Sequence, residues 1–382
     1  LDEQRGVVKN EKRQRENRPY AQMPDRIRAG LYPVDHPYRH SIIGSMEDLD
    51  NASVDDVHEW FNTYYGASNV VLVLAGDIDL ETAKKKVTHY FGEAPAGVPL
   101  VYPKKWIPNL PENRKESMYD RVGQTRISRV WALPGLNDRD TTLMYLVNES
   151  LAGNKNSPLQ KTLVDDLQLA TNVRGSAYGR VLSGEYTLTI DLKPGVTYEE
   201  VMPIVDRIIG EYLENGPDKQ IVENAKLGVN MYMIGALERT SAIGRVLAEG
   251  YLYSDDPVYI NKELQWLNAA TPSELRETAN RWLTRGFYEL TVLPFPEYQA
   301  AEPEVDRSTI PEVSAEANIS FPDVETATLD NGMRVVVATR DTLPIVDVSI
   351  RIGAGSTASP PEAPGLASFA MSLMDKGTKK YD

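Results

Sequence analysis

The sequence predicts an α+β fold in which similar units follow one another along the chain. Segments with helical periodicity alternate with short strand-like segments, one helix–strand pattern occurs twice, and two proline-rich stretches separate the units. At 382 residues, the chain is also longer than one ordinary domain. These observations together favour two or three domains with a sizeable core.

The first unit is predicted over residues 1–100. A charged helix over 1–16 ends at Arg18-Pro19, and residues 17–52 are predicted as a loop-rich stretch. A capped helix then begins at Ser53 and precedes an apolar run over 70–75, which is typical of a buried strand. Residues 80–91 are predicted as a further amphipathic helix.

The second unit is predicted over residues 120–297, after a proline-rich linker over 101–119. Its last helix begins at Thr271, with Pro272 at the first helical position and an acid at the third. The other predicted elements are strands at 127–133, 186–192 and 288–293, and helices at 141–151, 198–214 and 219–247.

One pattern occurs in both units: cap, amphipathic helix, short turn and apolar strand over residues 53–74 and again over residues 271–292. The corresponding positions are Val57 and Leu275, Tyr64 and Trp282, Leu72 and Leu290, and Leu74 and Val292. Two similar domains in tandem are the simplest explanation, and a chance likeness of two helix–strand units is the alternative.

A second linker is predicted over 298–323, and the start of a third unit over 324–382. The turn at 329–332 predicts a hairpin whose second arm is a strand over 334–339, and alternation over 346–352 predicts another strand. Residues 365–376 have the apolar spacing of a core-facing helix.

Composition excludes several kinds of function. The net charge is −14 at pH 7, and this argues against a nucleic-acid partner, since phosphate binding needs a basic surface. The absence of cysteine excludes a disulfide scaffold and a Cys₄ zinc site, and it fits a periplasmic protein. No apolar run has the length of a membrane span. The chain opens without an initiator Met or a signal peptide, which suggests a processed or truncated start.

Few residues suggest catalysis on their own. Of the four histidines, His36 and His40 are four apart, but Pro37 lies between them and a surface or loop-packing role is favoured over metal binding. His58 is expected on the polar side of a helix, and His89 near a helix end. Glycine-rich phosphate loops, a Gly-x-Ser-x-Gly elbow and a thiol nucleophile are all absent. Composition alone makes Glu11 a solvated carboxylate.

A longer comparison of motifs changes the interpretation of Glu11. Residues 4–11 read Gln-Arg-Gly-Val-Val-Lys-Asn-Glu, which resembles the Glu-Arg-x-x-Val-x-x-Glu segment of pitrilysin-type (M16) zinc metallopeptidases. The resemblance continues over 36–79, 148–163 and 329–335 and touches nearly the whole chain. It implies tandem homologous M16-type (LuxS/MPP-like) α+β domains, each a mostly antiparallel sheet flanked by helices. The third unit would open another copy of the family's first domain.

The same resemblance implies a Zn²⁺ cofactor and a set of ligands. In the family, an HxxEH helix supplies two histidines and a glutamate base, and a downstream glutamate completes the site. Glu11 matches that last ligand, whereas Gln4 departs from the family's first glutamate. In the third unit, Ser368, Met371 and Ser372 stand where His, Glu and His would be, so this copy is degenerate and is expected to hold no metal. The HxxEH motif itself does not occur in these 382 residues.

The resemblance favours a part of a zinc metalloendopeptidase that hydrolyses peptides or unfolded polypeptides in an enclosed chamber, with this fragment inactive by itself. The alternative is a noncatalytic subunit or peptide-binding scaffold, and a binding module unrelated to peptidases is a third class. The expected partners are a peptide or unfolded substrate and either the remainder of the same polypeptide or a homologous subunit. The expected location is the periplasm or cell envelope of a bacterium.

Overall fold

The computed structural model describes residues 1–237, 239–296, 324–339 and 348–374. The chain divides into two compact units, Leu1–Gln299 and Ala300–Asp382. The predicted linker over 298–323 lies outside the described residues. The predicted boundary over 101–119 does not divide the first compact unit, because a sheet strand and a buried leucine, Leu110, lie within it.

The first unit is built on one five-stranded sheet in the order β1-β5-β2-β4-β3. Its strands are β1 (Arg114–Asp120), β2 (Arg126–Leu133), β3 (Ala170–Gly179), β4 (Gly184–Leu192) and β5 (Tyr288–Pro294). All neighbours pair antiparallel except β1 and β5, which are parallel. Strands β2, β4 and β5 were predicted from sequence, whereas β1 was assigned to a linker and β3 was missed.

Helices cover the first face of this sheet. Alternate residues of β2, among them Ile127, Trp131 and Leu133, face the larger apolar core, where side chains of several helices meet them. The helices of this layer are α6 (Arg139–Leu151), α7 (Pro158–Gln160, continued by a π-helix over Lys161–Asp166), α8 (Tyr198–Asn215), α9 (Lys219–Leu237), α11 (Ile260–Ala269) and α12 (Pro272–Leu283). Helix α10 (Thr240–Ser254) packs against α9 and contributes no residue to this core. The single helix predicted over 219–247 is wrong: the extended backbone of Arg239 interrupts it, so α9 and α10 are separate.

The second face of the sheet is covered by residues that the sequence predicted to be loop. Helix α2 (Met23–Leu31) follows α1 (Asp2–Glu16) and packs on β5 and β2, where Leu31 and Tyr32 are buried against Val130. Helix α2 lies so close to β5 that a Cβ at Gly30 would be 2.1 Å from the Tyr288 ring. More than half of residues 17–52 lies outside α-helices, but the prediction of a loop-rich stretch missed α2, which covers the remaining apolar face of the sheet.

Residues 46–91 form three helices: α3 (Met46–Asn51), α4 (Val54–Tyr64) and α5 (Leu80–Phe91). Helix α4 begins with the predicted capping box, in which Ser53 and Asp56 satisfy each other's backbone N–H groups. The predicted strand over 70–75 is wrong for the described chain: no strand is formed there, since no described strand lies alongside to pair with its backbone.

The second unit contains a hairpin of β6 (Val324–Thr328) and β7 (Arg334–Ala338), as the turn signal predicted, and helix α13 (Leu366–Leu373). Gly332 adopts φ +85° in the turn, a conformation that favours glycine. The predicted strand over 346–352 is not formed at 348–352, and its first two residues lie outside the described chain.

Candidate functional site

Glu11 lies on helix α1, and its carboxylate is open to solvent. The side chain is 56% exposed and accepts a hydrogen bond of 2.6 Å from the guanidinium of Arg15, one turn further along. Gln4, the departure from the family pattern, is likewise exposed on α1. The predicted ligand therefore stands on a regular helix with one flexible ion-pair partner.

The opposite side of α1 holds the helix in place. Arg5 donates 2.6 Å to the carbonyl of Ala52 at the end of α3, and Lys9 pairs with Asp50. The hydrogen bond from Lys9 lowers the pKa of the Asp50 carboxyl. Lys12, on the same side, is buried and pairs with Glu16 at 2.9 Å. The anchored and open faces of α1 are thus distinct, and Glu11 belongs to the open one.

His36 has a structural role. It is fully buried, its Nε2 lies 2.9 Å from the carbonyl oxygen of Trp106, and its Nδ1 accepts a hydrogen bond of 3.0 Å from the Tyr38 backbone. Both ring nitrogens are therefore occupied by protein groups, which agrees with the predicted packing role. His40, by contrast, is exposed, and the i, i+4 spacing brings no pair of imidazoles together on a helix.

The other two histidines are also exposed: His58 on α4 and His89 in the last turn of α5. The described part of the chain contains no group of three or more His, Asp or Glu residues that could hold a metal ion. A zinc site needs at least three protein ligands. The described residues therefore do not fit Zn²⁺ by themselves, and Glu11 remains a single predicted ligand.

The degenerate positions of the third unit share helix α13. Ser368, Met371 and Ser372 are exposed, and the Ser372 hydroxyl donates 2.8 Å to the carbonyl of Phe369 within the helix. Neither serine nor methionine supplies an imidazole ligand or a carboxylate base.

Sequence reasoning missed a buried charged network in the first unit. Arg129 and Glu289 face each other across β2 and β5, 3% and 1% exposed, with Nε and Oε2 2.6 Å apart. The hydroxyl of Tyr198 donates 2.6 Å to Glu289, and burial raises the pKa of that tyrosine. A groove of about 730 Å³ opens beside Glu289. A charge in the middle of an apolar strand is the sequence signal for such a network.

Comparison with known proteins identifies relatives of this chain. Residues 51–229 match the family described as the peptidase M16 inactive domain. Residues 51–229 thus carry a domain of the M16 peptidase family. A zinc protease of Helicobacter pylori, PqqE, is 24% identical to this chain over 288 residues, which cover 73% of the chain and 63% of the relative.

Solved structures agree on the fold. The alignment with a protease from Helicobacter pylori spans 76% of this chain and 70% of the protease, at 21% identity and a TM-score of 0.68. The alignment with an M16 inactive domain from Pseudomonas fluorescens spans 77% of this chain and 70% of that domain, at 17% identity and a TM-score of 0.69. The periplasmic protease PqqL of Escherichia coli covers 77% of the chain but 32% of its own length, at 13% identity and a TM-score of 0.62.

These findings confirm the predicted family and the predicted α+β fold with a mostly antiparallel, helix-flanked sheet. The chain spans less than two thirds of the length of the Helicobacter relative. None of the described helices is long and apolar enough to cross a membrane.

Proposed function

We propose that this chain is part of a zinc-dependent metalloendopeptidase that hydrolyses peptides or unfolded polypeptides, with Glu11 as one metal ligand. The observation that carries the proposal is the position of Glu11. It matches the family's downstream ligand, and it lies on the open face of a helix whose other face is anchored by Arg5 and Lys9. The zinc-protease relative supports the class of reaction.

The remaining parts of such a site would come from polypeptide outside the described residues, because these residues contain no group of three or more possible metal ligands. An enclosed chamber for the substrate and a location in a bacterial periplasm belong to the same proposal. The support for this location is that PqqL, a protease of similar fold, is periplasmic.

The test uses the natural full-length protein. Changing Glu11→Gln should remove stoichiometric zinc and reduce peptide hydrolysis by more than about 100-fold, since even outer-shell partners of a metal ligand contribute roughly 10–100-fold. Zinc is measured by elemental analysis, and hydrolysis with an unfolded polypeptide substrate.

Glu3→Gln is the matched control, because Glu3 is an exposed carboxylate on the same helix. It should leave both zinc content and hydrolysis unchanged. If Glu11→Gln retains zinc and activity, Glu11 is not a ligand.

A noncatalytic subunit or peptide-binding scaffold is the second candidate. It is favoured by the match to the M16 inactive domain and by the loss of the HxxEH residues at Ser368, Met371 and Ser372. The sequence that precedes Leu1 in the source protein separates the two candidates: an intact HxxEH supports the peptidase, and a degenerate one supports the scaffold. A metal-free full-length protein that still binds peptides would also support the scaffold.

A further inference from the structure

A cavity in the first unit is not used by the proposed zinc chemistry. It has a volume of about 400 Å³ and lies between the turn after β2, the β3–β4 turn and the helices α10 and α11. Its polar lining includes Tyr38, Tyr178, Arg180, Arg245, Glu249 and Glu263. This volume suits one side chain or a small molecule.

Hydrogen bonds between the walls hold the cavity in shape. The amide of Asn137 donates 2.7 Å to the carbonyl of Tyr253 at the end of α10. The hydroxyl of Tyr259, which also lines the cavity, donates 3.1 Å to the carbonyl of Asn137. The turn after β2 is thus connected both to α10 and to the start of α11, so the cavity is largely pre-formed.

The cavity walls hold two arginines and two glutamates, and one of these glutamates forms no ion pair within the described residues. Arg180 pairs with Glu185 at 3.2 Å, and Arg245 lies 3.4 Å from Glu249. The carboxylate of Glu263 forms no hydrogen bond and no ion pair within the described chain. Burial raises the pKa of Glu263, and the nearby charge of Glu249 raises it further.

Such a wall favours a cation. An anion would find both guanidinium groups already paired, whereas an ammonium or guanidinium group would supply the partner that Glu263 lacks. Tyrosine rings attract cations through their faces, but Tyr38 and Tyr178 lie 5.2 and 5.7 Å from the guanidinium of Arg180 and so already engage a cation. Tyr253 and Tyr259 supply further rings in the lining. Apolar side chains of Leu136, Val246 and Ile260 complete the lining and suit an aliphatic stem.

We propose that this cavity binds a basic side chain, lysine or arginine, of a peptide, with Glu263 as its ionic partner and tyrosine rings around its stem. The proposal extends the function proposed above by giving the chain a preference for basic peptides. It does not depend on zinc or on hydrolysis, so it is tested on the metal-free chain.

The test compares two blocked peptides by isothermal titration: acetyl-Gly-Lys-Gly-amide and the uncharged analogue with norleucine in place of lysine. Blocking both ends leaves the lysine ammonium as the peptide's only charge. The lysine peptide should bind the 382-residue chain at least about tenfold more tightly, and Glu263→Gln should remove that difference. Glu214→Gln, which changes an exposed carboxylate on α8, should leave it intact.

Circular dichroism and thermal unfolding of Glu263→Gln check the fold, which should be retained because the substitution removes a partly buried charge. Equal affinity for the two peptides, no binding of either, or a lysine preference that survives in folded Glu263→Gln would each overturn the proposal. None of these results bears on zinc binding by the full-length protein, so the two proposals fail separately.

Discussion

At the scale of single residues, the buried pair of Arg129 and Glu289 is the most constrained feature of the first unit. Besides Glu289, Arg129 contacts Asp206 of α8 at 2.5 Å and lies 4.2 Å above the Phe287 ring. A buried charge that loses its partner is strongly destabilising, because neither water nor another ion replaces that partner.

Arg129→Met should therefore lower the free energy of unfolding by about 3–5 kcal/mol, since it leaves the buried Glu289 carboxylate with only the half-exposed Lys115, 3.8 Å away, as a cation. Urea unfolding followed by circular dichroism measures the change. Arg207→Met is the control: Arg207 pairs with Glu211 at 2.7 Å, but both side chains are more than half exposed, so the cost should be below about 1 kcal/mol. If both variants lose the same free energy of unfolding, the buried pair of Arg129 and Glu289 contributes no more to stability than the exposed pair.

At the scale of elements, the contact between α6 and α12 includes one carboxylate with several hydrogen-bond partners. Asp140, in the first turn of α6, accepts hydrogen bonds of 2.9 and 2.7 Å from the guanidinium of Arg281 and one of 2.9 Å from the Trp282 indole. Burial acts to raise the pKa of Asp140, but the hydrogen bonds from Arg281 and Trp282 outweigh it and hold that pKa below its usual value. The charged carboxylate is thus favoured by folding.

This arrangement predicts an acid-dependent stability. A carboxyl group whose pKa is lowered by folding stabilises the protein at any pH above the pKa of the unfolded chain, which is about 4. That stabilisation is lost as the pH falls through the pKa of the folded state. At pH 7, Asp140→Asn should unfold at a lower urea concentration than the unchanged chain. Between pH 5 and pH 3, the urea midpoint of Asp140→Asn should fall less than that of the unchanged chain.

Asp165→Asn provides the comparison, because Asp165 is exposed and makes no side-chain hydrogen bond within the described residues. Its midpoint should follow the unchanged chain at every pH. A midpoint of Asp140→Asn that falls as steeply as that of the unchanged chain would contradict the assignment.

At the scale of the whole molecule, the two copies of the helix–strand pattern have different surroundings. Both helices begin with the predicted capping boxes, at Ser53 and Thr271. In the second copy, Leu275 is buried in the larger core, and Leu290 and Val292 are buried on the second face of the sheet with Leu31 of α2. The corresponding residues of the first copy, Val57, Leu72 and Leu74, are 47–50% exposed.

The difference predicts unequal effects of the same substitution. Leu290→Ala should cost about 2–5 kcal/mol of unfolding free energy, as large-to-small changes in a packed core do. Leu72→Ala, at the matching position, should stay within about 0.5 kcal/mol, because the side chain is half exposed in the described structure. Urea unfolding of the 382-residue chain measures both. A large loss for Leu72→Ala would mean that another polypeptide surface covers residues 70–75 in solution.

The sequence alone determined those features that depend on local chemistry. Capping residues and helical periodicity predicted α4, α5 and α12, alternation predicted β4, and the Asp330-Asn331-Gly332 turn predicted the β6–β7 hairpin. The ordered series of motifs predicted the M16 family, since it needs only residue types and spacing. The irregular, proline-containing surroundings of His36 predicted a surface or loop-packing role, and only the structure shows that the ring is buried.

Only the tertiary structure decided what depends on distant partners. A strand needs a neighbour, so the apolar run over 70–75 remains unpaired while Arg114–Asp120, in a predicted linker, pairs with β5. The use of α2 as the cover of the second sheet face depends on contacts about a hundred residues or more apart along the chain, such as Tyr20 with Asp120. The partners of Arg129 and the cavity around Glu263 are likewise formed by residues that are distant in sequence. Local patterns specify what a segment can form, whereas burial and pairing depend on which distant segments meet it.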